Sequence, residues 1–100
     1  MYVYILTNLT RTVLYIGMTN DLSRRLNHHQ RGRGTEGKFT SLYQADRLVY
    51  FEVCPDALQA IVRKKQLQGW TRAKKEALIT AFNRAWETIN PYTWRGGRKA

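Results

Sequence analysis

The chain is short of cysteine, proline and acid: one Cys, two Pro and seven Asp plus Glu in 100 residues. A single cysteine, Cys54, excludes an internal disulfide and fits a reducing compartment, so a cytoplasmic location is expected. Its thiol reads as a small buried hydrophobe at a strand end. No apolar run approaches the roughly 20 residues that a membrane-spanning helix needs, and Met1 leads into a strand-like segment rather than a secretory leader. The lack of acid matters most. Against it stand 17 Lys and Arg, leaving a formal charge of +10. A soluble chain this basic is suited to a polyanion, and nucleic acid is the leading candidate. The cations are also clustered. Arg24, Arg25, Arg31, Arg33 and Lys38 form one group; Arg63, Lys64, Lys65, Arg72, Lys74 and Lys75 form a second with no acid among them.

What is present reads as one small domain over 1–86 and a basic tail over 87–100. Tyr2 to Leu6 is β-branched and aromatic, a first strand. After a polar turn from Thr7 to Thr12, Val13 to Gly17 returns as the second strand of an antiparallel hairpin. Gly17 ends that strand where a close backbone approach is cheap only for glycine. Thr19, Asn20 and Asp21 are good helix caps, and a helix from about Asn20 to Gln30 follows. It carries Leu22 and Leu26 on one stripe and Arg25 and His29 on the stripe beside it. A tyrosine at a strand end, an arginine and a histidine therefore converge on one small volume. Alternation puts Tyr2 and Tyr4 on one face. Tyr4 and Tyr15 either project into a pocket or form a cross-strand aromatic pair, and the pattern favours the pair.

Arg31 to Gly34 stops the helix, and Thr35 to Gln44 reads as a loop whose Phe39 and Tyr43 can pack or stack. Arg47 to Val53 is a nearly continuous apolar strand, expected at the centre of the sheet. Asp56 caps a helix from Ala57 to about Gln68, with Leu58, Ile61, Val62 and Leu67 apolar and Arg63 and Gln66 outward. Lys64 falls between Ala60 and Leu67 rather than on the solvent side. Either its stem packs while the ammonium reaches water, or it lines a polar site. Arg72 to about Asn83 is a last helix, with Ala77, Leu78, Ala81 and Phe82 toward the core, Arg72, Lys74 and Lys75 toward solvent, and Trp86 closing the core.

Tyr2-Val3-Tyr4, Tyr15-Ile16-Gly17, the run from Thr19 to His29, Asp46 to Glu52 and Arg63 to Lys75 together resemble the GIY-YIG nuclease superfamily, in particular its small stand-alone bacterial members. The likeness covers about residues 2 to 86. It implies an α+β fold: a three-stranded antiparallel sheet flanked by helices in the order β-β-α-β-α-α, as periodicity suggests independently. It also implies hydrolysis of a DNA phosphodiester with one divalent cation, Mg²⁺ or Mn²⁺. By position, Tyr4 and Tyr15 would contact or activate the water. Arg25 would bind the scissile phosphate, His29 would support the tyrosine or transfer a proton, and Gly17 would be structural. Arg24, Arg31, Arg33, Lys38, Arg63, Lys65, Arg72, Lys74 and Lys75 would meet the DNA backbone.

One position departs from the pattern. The family's metal-binding glutamate aligns with Lys64, and an ammonium repels a cation that wants carboxylate oxygens. Neither Glu52 nor Glu76 is an evident substitute. The expectation is therefore a DNA endonuclease fold with weak or no cleavage in this chain. The alternative is a DNA- or RNA-binding module that never cuts and uses the same basic face.

Overall fold

The computed structural model describes residues 1–25, 45 and 47–90. Strands β1 (Tyr2–Thr7), β2 (Leu14–Thr19) and β3 (Arg47–Val53) form one antiparallel sheet in the order β2-β1-β3. A helix, α1, starts after β2 and is described over 22–25; α2 (Ala57–Gln68) and α3 (Arg72–Phe82) follow β3. The architecture is the expected α+β one, in the order β-β-α-β-α-α.

The expected centre of the sheet is corrected. β1 lies between its partners, and β3 is an edge strand. Leu48, Val49 and Tyr50 are buried all the same, because covered faces make a strand read as a continuous apolar run wherever it lies in the sheet. Beside β3 run the residues after α3. Asn83 donates from Nδ2 to the Val49 carbonyl at 3.1 Å and to the Glu87 carbonyl at 2.8 Å, while its Oδ1 accepts the Glu87 N–H at 3.1 Å. The Ile89 N–H then donates to the Leu48 carbonyl at 2.8 Å, and its side chain is buried. Trp86, half-buried, packs on the core and donates from Nε1 to Thr80 Oγ1 at 3.0 Å.

The β1–β2 turn is built on Asn8. Its buried side chain accepts the N–H groups of Thr12 and Val13 at 2.8 and 3.1 Å and donates to Thr12 Oγ1 at 2.8 Å. An amide that supplies the turn's hydrogen bonds this way replaces a second layer of backbone pairing. β2 also differs from expectation: it begins at Leu14 and continues through Gly17 to Thr19.

The helices show where periodicity misled. On α2, only Ala60 and Leu67 are buried; Leu58, Ile61 and Val62 are exposed. Leu58 and Val62 lie opposite Ala60 and Leu67 on the helical wheel and Ile61 to the side, so α2 has two apolar faces, and the sheet takes the one with the small side chain. Lys64 shares the buried stripe and is half-buried. On α3, Ile79 and Phe82 are buried, whereas Ala77 and Ala81 are exposed. Both helices start on side-chain caps. Asp56 accepts the Gln59 N–H at 2.8 Å, and Thr71 accepts the Lys74 N–H at 3.2 Å.

Candidate functional site

Three of the four expected catalytic side chains meet. Tyr4 stands on the central strand, directly opposite Gly17 of β2. A Cβ at Gly17 would lie 2.5 Å from Tyr4 Oη, 2.6 Å from its Cζ and 3.1 Å from Tyr15 Cε2. The glycine thus makes room for the Tyr4 ring against β2, which continues past it to Thr19. Tyr15 is one diagonal step away on the same face, with ring centroids 6.3 Å apart and planes at 44°. The pair is an ordinary cross-strand aromatic contact, and it is also one wall of a polar site.

Arg25 completes it. Asp21 caps α1 by accepting the Arg24 N–H at 3.1 Å, and Leu22 is buried, which fixes the first turn against the core. From that turn Arg25 Nε donates to Tyr4 Oη at 3.1 Å. Hydrogen bonds from Arg25 to Tyr4 and Tyr15 hold its guanidinium even more firmly protonated than usual. Burial pushes the Tyr4 phenol above its ordinary value near 10, a rise only partly offset by the Arg25 hydrogen bond. Tyr4 has no exposed surface, while Tyr15 is 38 % exposed. Tyr4 is therefore a neutral, buried support for the arginine at neutral pH, and Tyr15 is the phenol that water and a ligand can reach. His29 lies outside the described residues, as do Arg31, Arg33, Lys38, Phe39 and Tyr43.

The second basic group divides in two. Arg63 donates to Glu52 Oε2 at 2.9 Å and to Gln66 Oε1 at 2.7 Å, and its guanidinium sits 5.3 Å from the Trp70 ring centre. Arg72 donates to Glu76 Oε2 at 2.7 Å, to the Thr12 carbonyl at 2.9 Å and to the Arg11 carbonyl, binding α3 to the hairpin turn. Both were expected to face DNA, and both also make contacts within the chain. Lys74 lies 4.5 Å from the Trp70 ring centre, near enough for a cation–π contact. Lys65 is exposed, Lys75 half-buried and Arg24 exposed, with no ion pair to any of them among the described residues. Sequence reasoning could have flagged Arg72 by its Glu76 four residues on; Arg63 reaches across to another element and left no local signal.

The described residues do not fit a divalent cation. Position 64 offers an ammonium. Glu52 has both carboxylate oxygens engaged, one by Arg63 and the other by the Tyr50 hydroxyl. Among the described residues, no three His, Cys, Asp or Glu side chains converge where a metal ion could be held.

Residues 1–77 match the family model described as the GIY-YIG catalytic domain, and the chain belongs to the GIY-YIG family. Within it, the chain is similar to several UPF0213 proteins. One from Bacillus velezensis is 40% identical over 79 residues, covering 76% of this chain and 75% of the relative. One from Bacillus pumilus is 32% identical over 80 residues, covering 80% of each. The solution NMR structure of a UPF0213 protein from Bacillus halodurans aligns with a TM-score of 0.54 at 26% identity, covering 94% of this chain and 97% of that one. Among the described residues, no helix is long and apolar enough to cross a membrane.

Proposed function

We propose that this chain is a DNA-binding domain of the GIY-YIG endonuclease type, holding a backbone phosphate with Arg25 and Tyr15 and cleaving it weakly or not at all. The observation that carries this is the partner of Arg25, a buried neutral phenol rather than a carboxylate. A guanidinium held by a neutral group keeps its full charge for a ligand, and a phosphate is its best-matched anion. Family membership supports a nucleic acid as that ligand. The excess of cation supports it too. Of the five described acids, Asp21, Glu52, Asp56 and Glu76 are committed to caps or ion pairs, which leaves the carboxylate of Glu87 alone against the described lysines. Backbone contact of this kind is sequence-independent and weakened by salt.

Lys64 supports the weak-cleavage half of the reading, since the family's Mg²⁺ or Mn²⁺ has no acid to bind there. A second reading, in which the chain cleaves as it stands, is favoured by the intact contact of Tyr4, Tyr15 and Arg25. Plasmid nicking with Mg²⁺ or Mn²⁺ separates them. We expect little nicking by this chain and more by Lys64→Glu, with DNA bound by both. Strong nicking by the unaltered chain would establish the second reading. If both proteins stay inert while binding DNA, the domain is a binding module only.

A further inference from the structure

Beside Arg25 an open cleft of about 330 Å³ runs along the β2–α1 junction, lined by Thr19, Asn20, Asp21, Arg24 and Arg25. Its wall is braced from within. Thr19 Oγ1 accepts the Asp21 N–H at 3.1 Å and donates to the Asp21 carbonyl at 3.2 Å, and Asp21 Oδ1 accepts the Arg24 N–H at 3.1 Å. Two lining side chains are left over. The Arg24 guanidinium and the Asn20 carboxamide are exposed and make no hydrogen bond or ion pair among the described residues. With Arg24 and Arg25 against the single carboxylate of Asp21, the cleft carries net positive charge. Among the described residues, no aromatic or aliphatic side chain lines it.

We infer that this cleft seats the phosphate next along the strand from the one held by Arg25, so that one nucleotide is gripped through both of its phosphates. The inference rests on the DNA-binding reading above and extends it to a second subsite. Arg24 supplies a charge-assisted fork to the second phosphate. Asn20 donates its amide to an ester or sugar oxygen between the two. The volume lies at the low end of ordinary small-ligand sites, the size range of a single nucleotide rather than a folded element.

The test is an NMR titration of the ¹⁵N-labelled chain with thymidine 3′,5′-bisphosphate, thymidine 5′-monophosphate and thymidine 3′-monophosphate. Arg24→Ala, Asn20→Ala and a short DNA oligonucleotide serve as comparisons. The bisphosphate should bind about ten-fold tighter than either monophosphate, with shifts at the amides of Asn20, Asp21 and Arg24. Arg24→Ala should erase that preference while leaving monophosphate binding intact; Asn20→Ala should reduce the preference a few-fold. A chain that binds the oligonucleotide but prefers the bisphosphate by less than about two-fold overturns the cleft alone. So does a preference that survives Arg24→Ala. A chain that binds none of these ligands overturns the DNA reading together with the cleft.

Discussion

Arg25 and Arg63 occupy matched positions in two parts of the same molecule, each reaching from a helix to a group beside a strand tyrosine. In the hairpin region Arg25 meets the phenol of Tyr4 directly. In the β3–α2 region Arg63 meets Glu52, and the Tyr50 hydroxyl donates to the other oxygen of that carboxylate. The difference is one charge. A carboxylate neutralises its arginine and makes it a strut, whereas a phenol orients its arginine and leaves the charge unspent. In a chain with so many cations, counting them says little; the identity of each partner separates those that hold the fold from those that can hold a ligand.

Gly17 offers the hardest way to break the contrast. Gly17→Ala would force the buried Tyr4 ring aside, an overpacking cost of about 1–3 kcal/mol that should appear as a lowered thermal midpoint. DNA affinity should fall with it, because the arginine's support moves. An alanine variant with unchanged melting would mean that the ring has room to give.

Next comes a paired substitution. Arg25→Ala should weaken DNA binding roughly ten-fold, about 1.4 kcal/mol, and lower the salt slope by about one, with little change in stability. Arg63→Ala should do the reverse, costing about 1–2 kcal/mol of stability while leaving the salt slope unchanged, because it strands Glu52 beside Tyr50. Fluorescence anisotropy across a salt series and denaturant melts read the two effects. If both variants lose affinity alike, the distinction by partner fails.

The two phenols share a pH signature. Burial raises both Tyr4 and Tyr50, the latter helped further by Glu52. Each folded-state pKa lies above the unfolded value, so the stability it contributes is fully present below the unfolded pKa near 10 and is lost as pH rises past it. Melting temperature should therefore decline above about pH 10, and Tyr50→Phe should flatten the decline. Smallest of all, Arg72→Ala should cost about 1 kcal/mol or less, since its partners are exposed, and should leave DNA affinity almost unchanged.

Much of this was legible in the chain. The strands, the two later helices, the tyrosine pair and the arginine beside it follow from β-branched runs, caps and four-residue spacing, all local properties. Three things were not. Apolar continuity reports burial and not neighbours, so it misplaced β3 at the centre of the sheet. Leu58, Ile61 and Val62 are as apolar as any core residue, and only the sheet's choice of the Ala60 side tells the faces of α2 apart. The internal contacts of Arg63 with Glu52, and of Arg72 with the carbonyls of Arg11 and Thr12, reach other elements and leave no local signal.

The Asn83 carboxamide, bonded to Val49 on one side and Glu87 on the other, turns the stretch over 83–89 into a shield for a strand that would otherwise be sticky. A chain cut after Phe82 would bare the outer hydrogen-bonding groups of β3 to any other extended polypeptide. Such a truncation should fail by self-association rather than by loss of its binding site.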